Sequence, residues 1–316
     1  MKVKISCLVI FLFLLLFNTV ALAEVDYKQI DYLIEYQGAY QKAYQLLKKA
    51  DKNKVKKEYL GELYILTKTD IKQGLKILTE LANSIEETEK IIDYKLLMMQ
   101  GKTELLNQQE SKEAKLSLLK EIEKLVEETL KLDSNNVDAL IAKANVKRFK
   151  PSLFRKKNLK EAIKLLKKAI AIDDDKIKAY YDLADIYIYE PQVKDYDQAL
   201  NYLNQAEEKF KQQYKNEEVN YSNKVNYSFI LINLAKIYYE RGKIDISQSY
   251  TSKHLELAPN SVWGYLYRGL NYEAQGEVDK SLQSLKEGQS HAEMANKERA
   301  NMILEEQVNR IEKKYK

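Results

Sequence analysis

A 34-residue recurrence near the C-terminus constrains this chain more than any other feature. Leu231 and Tyr265, Ala235 and Gly269, Tyr238 and Tyr272, Gly242 and Gly276, and Ser247 and Ser281 are each 34 positions apart. Pro259 falls thirty-second in the unit that begins at Ser228. A period of this length denotes supersecondary units stacked in a row rather than one globular core. Within each unit, apolar and small residues recur at helical spacing, stop at a glycine, and resume. The glycine marks a turn whose positive backbone angle costs it little. Only 9 Gly and 3 Pro interrupt 316 residues otherwise rich in Leu, Lys, Glu, Ala and Gln, so the expected fold class is all-α.

These units resemble the tetratricopeptide repeat (TPR). Unit 228–261 supplies Leu231, Leu234, Ala235, Tyr238, Gly242, Ser247 and Pro259 at that family's places. Unit 262–295 supplies Tyr265, Gly269, Tyr272, Gly276, Ser281, Leu285 and Gly288. Thr251 and His254 depart from the pattern in the first unit, and Arg268 and the missing proline in the second. The resemblance implies an α-solenoid, a superhelical array of antiparallel helix pairs. In it Tyr265 and Tyr272 would be core, while Trp263 and Tyr267 would point into the groove.

Upstream the pattern loosens. Segment 137–211 reads as two TPR-like repeats with insertions, carrying Leu140, Ala144, Leu159 and Ala162, then Tyr180, Ala184, Tyr187 and Leu203. Pro151 and Pro191 fall in lengthened turns, which repeat arrays tolerate. Segment 55–136 reads as degenerate helix pairs. Segment 24–54 reads as an N-terminal helix or cap, one amphipathic helix from Tyr27 to Ala50 with Tyr32, Tyr36, Tyr40 and Tyr44 every fourth residue. An irregular connection is expected over 212–227 as the softest boundary, and a polar capping helix over 296–316. About six helix pairs plus caps result.

The first 23 residues read as an address. Lys2 and Lys4 precede an uncharged run that ends in Ala21-Leu22-Ala23, the signature of a cleaved signal peptide over 1–23. Retention as a membrane anchor is the alternative, because nineteen uncharged residues barely span a bilayer. The expected location is outside the cytoplasmic membrane, periplasmic or extracellular, in a bacterial host. Cys7, the only cysteine, leaves with the leader, so no disulfide, thiol nucleophile or thiolate metal site is expected in the mature chain.

Composition argues against several partners. Charged residues make up 31% with a formal net charge of +5, two units of which come from Lys2 and Lys4. Opposite charges are interspersed, as on a solvated helical surface, so no nucleic-acid partner is expected. The short basic clusters at 52–57 and 155–157 read as exposed helix ends, with contact to an anionic surface as the lesser alternative. His254 and His291 lack metal-ligand spacing; His254 falls at a packing place, and His291 near an exposed helix end. Asp173-Asp174-Asp175 reads as a turn whose carboxylates cap the next helix. No phosphate loop or nucleophile elbow is present, so neither cofactor, metal nor enzymatic activity is expected.

What the resemblance offers instead is a groove. The family's concave wall is built from places on the first helix of each pair that are not used for packing within the pair. Those places carry Asn145 and Arg148, then Tyr181, Asp182, Asp185 and Tyr189, then Phe229, Ile232, Asn233, Lys236 and Tyr239, then Trp263, Leu266, Tyr267 and Leu270; all but Phe229, Ile232, Leu266 and Leu270 are the contact candidates. Aromatics offer contact area at low entropic cost, and an Asn amide can hold a peptide backbone. The expected function is a non-catalytic interaction scaffold that takes a peptide or helix of a protein partner. A component of envelope assembly or of a transport system is the alternative within that class. An envelope hydrolase is the alternative outside it, and would be marked by a carboxylate pair with a raised pKa on the groove. Membrane contact is expected only through a retained N-terminal anchor.

Overall fold

The structure is a computed structural model that describes residues 26–35, 38–49, 56–151, 154–215, 219, 221–295 and 297–315. The signal-peptide reading of 1–23 lies outside these residues. All fifteen regular elements among them are α-helices, and most successive helices pack as pairs. The chain divides into two compact units, Met1–Leu125 and Val126–Lys316. The division falls at residue 125, not at the 212–227 connection that the sequence suggests.

The first unit holds α1 (Tyr27–Glu35), α2 (Tyr40–Lys49), α3 (Lys57–Leu66), α4 (Ile71–Ser84), α5 (Thr88–Gln108) and the first part of α6 (Lys112–Leu132). The expected single helix over 27–50 is a hairpin instead. Gly38 takes φ +58°, and Ala39 N–H donates back to the Leu33 carbonyl at 2.8 Å, closing the turn. Ile30, Leu33, Ala43, Leu47 and Leu63 close one core. Ile65, Ile71, Leu78, Tyr94 and Met98 close the next, with Leu125 against it.

The second unit begins within α6 and continues through α7 (Val137–Phe149), α8 (Arg155–Ile172), α9 (Ile177–Tyr189), α10 (Tyr196–Gln213), α11 (Tyr221–Glu240), α12 (Ile244–Leu257), α13 (Val262–Ala274), α14 (Val278–Met294) and α15 (Glu298–Tyr315). Leu140, Ala144, Leu159, Ala162, Leu183 and Ala199 are buried where the repeat pattern places them. Gly242 and Gly276 take φ +69° and +81° in their turns, the conformation only glycine adopts cheaply. At Gly269 the need is space instead, since a Cβ there would lie 2.7 Å from Leu285.

Two local expectations fail for identifiable reasons. Residues 221–227 are helical, because Tyr227 stacks on Phe210 at 3.8 Å and so extends α11 backward against α10. The aspartates of 173–175 do not cap α9. Asp173 Oδ1 accepts from Asp175 N–H within the turn, and Lys209 bridges Asp174 and Asp175. Before α7 the residue next to the helix is Asn136, which does cap it, accepting from Ala139 N–H at 3.0 Å, whereas the corresponding place before α9 is Lys176.

Candidate functional site

In the second unit α7, α9, α11 and α13, the first helices of their pairs, lie side by side. All eleven groove candidates stand on them. Asn145 on α7 donates to Asp182 on α9 at 2.9 Å, and Lys178 grips the same carboxylate at 2.8 Å. Arg148 on α7 reaches both Asp185 and Glu190, and Arg155 joins Glu190 from the far side of the turn at 2.7 Å. Tyr189 on α9 donates to Asn233 on α11 at 3.1 Å. Lys236 on α11 donates to the Tyr267 hydroxyl on α13 at 3.2 Å and stands 5.5 Å over the Tyr189 ring. Tyr239 meets Tyr267 edge to face.

These contacts sort the candidates into two kinds. Arg148, Asp182, Asn233 and Tyr267 are buried, and their polar atoms are spent on the neighbouring repeat. Tyr267, expected to point into the groove, lies instead beneath Lys236 and Tyr239. Tyr265, expected in the core, is half-buried and stacks on His291, which is itself half-buried rather than exposed. The exposed members are Tyr189 at 50% and Trp263 at 44%, and Phe229 joins them at 42%. Phe229 and Trp263 hold the same place in consecutive repeats, and Phe229 stacks on Tyr181 at 5.5 Å. The face is therefore a hydrogen-bonded polar row with aromatic rings standing out of it.

Its electrostatics follow from burial. Desolvation raises the Asp185 carboxyl, and the charge and hydrogen bond of Arg148 only partly offset it. At Glu190 burial acts in the same direction, but Arg148 and Arg155 together reverse it and hold the carboxyl below its usual range. Burial, then the charge of Asp185, pushes the Tyr181 hydroxyl up. His254 is buried between repeats. Its Nδ1 faces the Ser228 carbonyl at 2.8 Å and its Nε2 the Ser261 hydroxyl at 2.6 Å, and burial lowers its pKa. It is a packing residue, as its place in the repeat implies.

Two features were missed from sequence. At the C-terminal end, Glu273 on α13 is held by Arg310 and Lys314 of α15, and the Arg310 hydrogen bond is the main cause of its lowered pKa. This clasp borders an open cavity of about 470 Å³ lined by Tyr239, Leu266, Leu270, Ile303 and Gln307. The second feature lies within the first unit. Tyr59 on α3 donates to Asp31 on α1 at 2.7 Å, and Tyr94 on α5 donates to Glu58 on α3 at 3.1 Å. Beside them burial, then the Asp31 and Glu58 carboxylates, pushes Glu62 up to about 7. Glu58 and Glu62 stand one helical turn apart, a visible signal once α3 is assigned as a first helix. No group of His, Cys, Asp and Glu suited to a metal ion occurs among the described residues.

Stacked antiparallel helix pairs with glycine turns and small residues at the crossings define an α-solenoid. Residues 152–188 match the TPR repeat model, and with the architecture above this makes the chain a TPR-repeat protein. No curated protein matches it in sequence. Among solved structures it is similar to a Signal Transduction ATPase with Numerous Domains with a tetratricopeptide repeat sensor from Pyrococcus horikoshii. There the identity is 19% and the TM-score 0.53, over 88% of this chain and 41% of that one. Pseudomonas aeruginosa pilF follows at 18% identity and TM-score 0.47, over 72% and 94%. MamA shows 20% identity and TM-score 0.41, over 57% and 92%. At 19% identity the likeness to the first of these concerns the fold alone.

Proposed function

We propose that this protein is a non-catalytic scaffold outside the cytoplasmic membrane that holds an extended peptide or a helix of another protein. The partner lies across the first helices of the second unit. One observation carries the reading: Tyr189, Phe229 and Trp263 are exposed rings mounted on a buried polar row whose side chains are already fixed by Asn233, Tyr267 and Arg148. Tyr189 is held by Asn233 and Phe229 by its stack on Tyr181, and rings so held lose little freedom on contact, which favours binding through a few aromatic anchors. The apolar run ending in Ala21-Leu22-Ala23 supports the location.

The test is a crosslinking pull-down from the host's envelope fraction, with the native chain against Tyr189→Ala, Phe229→Ala, Trp263→Ala. All three rings are exposed, so helical circular dichroism stays unchanged. A partner retained by the native chain and lost by the variant supports the reading. Equal retention by both moves the contact off this face and overturns it.

The hydrolase reading has one observation in its favour, the raised Glu62 carboxyl beside two further carboxylates. It requires soluble fragments released from an envelope preparation by the native chain and not by Glu62→Gln. No release by the native chain removes it.

A further inference from the structure

His254 near the end of α12 and Ser261 just before α13 meet across the turn that joins the two helices. The His254 Nε2 lies 2.6 Å from the Ser261 hydroxyl, and its Nδ1 lies 2.8 Å from the Ser228 carbonyl. A carbonyl only accepts, so Nδ1 carries the ring proton and Nε2 keeps its lone pair. The Ser261 hydroxyl therefore donates to Nε2. Burial holds the imidazole below its ordinary pKa, so it is neutral and basic at pH 7. Gly264 lets the first turn of α13 close on the ring, since a Cβ there would stand 2.9 Å from His254.

Capping alone does not account for this pairing. As the N-cap of α13, Ser261 accepts from the Gly264 N–H at 3.2 Å, which uses only a lone pair of its oxygen. Its proton is committed separately to His254. Asp70 and Asp195 cap their helices with no proton to give. A hydroxyl that donates to a neutral imidazole, itself oriented by a third group, is the arrangement that activates serine as a nucleophile. Negative charge developing on Oγ is met by the Gly264 N–H and the N-terminal end of α13. The oxygen is within reach of a reagent, because Ser261 is half-buried and Pro259 and Asn260 before it are exposed.

We propose that the Ser261 hydroxyl takes an acyl group from an activated ester, with His254 as its general base. Oγ bonds to the acyl carbon as its proton passes to Nε2. The bond from the acyl carbon to the ester oxygen then breaks, and the leaving alcohol takes that proton from Nε2. One acyl group is transferred per chain. The site thus adds a covalent attachment point to the scaffold and does not rest on the peptide-binding reading.

The experiment uses the full chain and p-nitrophenyl acetate. Cleavage after Lys253 and Arg268 yields peptide 254–268, in which Ser261 is the only serine and no lysine is present. Fragment masses distinguish an acetyl on Ser261 from one on His254, Tyr265 or Tyr267. Ser261 acylates about 100-fold faster than Ser252, which is exposed on α12. Because His254 titrates below its ordinary value, the rate at Ser261 is level from about pH 7.5 upward. An unassisted hydroxyl instead gains about tenfold per pH unit, as its alkoxide fraction does. His254→Gln takes no proton and slows acylation about 100-fold. No acetyl at Ser261, a rate equal to that at Ser252, or an unchanged rate in His254→Gln overturns the proposal. So does a tenfold rise per pH unit in the native chain, a result that needs no variant and stands even where His254→Gln loosens the array.

Discussion

Glu62 gives the sharpest prediction, because the structure sets both its size and its sign. Its carboxyl is partly buried on α3 and faces Asp31 on α1 and Glu58 on its own helix. The acid is ordinarily half-ionised at 4.5, and here at about 7. The folded chain therefore keeps a proton that the unfolded chain releases, and stability falls as pH rises from about 4.5 through about 7. At about 1.36 kcal/mol per pH unit the loss comes to about 3.4 kcal/mol, and residual solvent contact reduces it to about 2 kcal/mol. Glu62→Gln mimics the protonated acid, so it matches the native chain near pH 4.5 and exceeds it by about 2 kcal/mol at pH 8. A repeat array does not unfold in one step, so the signal must be local. Carbon-13 NMR of the glutamate side chains reads the titration directly, and hydrogen exchange over α3 at matched intrinsic rates reads the stability. Asp31→Asn then brings the midpoint down. A Glu62 midpoint near 4.5, or protection of α3 that differs equally at both pH values, would refute the reasoning.

His254 works in the opposite direction. Burial depresses its pKa, so its contribution is present above about 6.5 and is lost as pH falls through the folded value; urea midpoints of the second unit drop between pH 7 and 5, and His254→Gln flattens that slope. Arg148→Met leaves Asp185 and Glu190 without their shared cation and costs about 3–5 kcal/mol in chemical denaturation. Gly242→Ala costs about 1 kcal/mol, because φ +69° is its only obstacle, whereas Gly269→Ala costs about 2–3 kcal/mol, because Leu285 must move; equal losses in urea melts would contradict the distinction.

What was legible in the sequence follows from how far apart the partners of a contact lie. Contacts within one pair recur with the repeat, so Gly242, Gly276 and Ser247 could be placed from spacing alone. Contacts between first helices join residues 37 apart at Asn145–Asp182, 44 apart at Tyr189–Asn233 and 31 apart at Lys236–Tyr267. The longer turns at Pro151 and Pro191 shift this separation from one junction to the next, so no fixed period reveals it. The sequence therefore placed all eleven candidates on the first helices but did not distinguish Trp263, which stays exposed, from Tyr267, which the preceding repeat covers. The break at Gly38 was hidden because the four-residue tyrosine spacing runs on through it in the sequence.

That difference bears on how such a face evolves a binding role. Along α7 to α13 the polar groups that look most like ligand contacts, Arg148, Asp182 and Asn233, are the ones that join repeats. Replacing them alters the array before it alters a contact, because an unpaired buried charge costs more than any single surface interaction. The rings at 189, 229 and 263 carry no buried charge and stand largely outside the row, although Tyr189 still bonds Asn233 and Phe229 still stacks on Tyr181. Specificity is therefore free to change at those positions while the buried row keeps their spacing. It follows that Trp263→Ala should reduce partner retention with no loss of helix content, whereas Asn233→Ala should reduce both together. Losing the two in the same proportion at Trp263 would mean that the ring belongs to the fold and not to the contact.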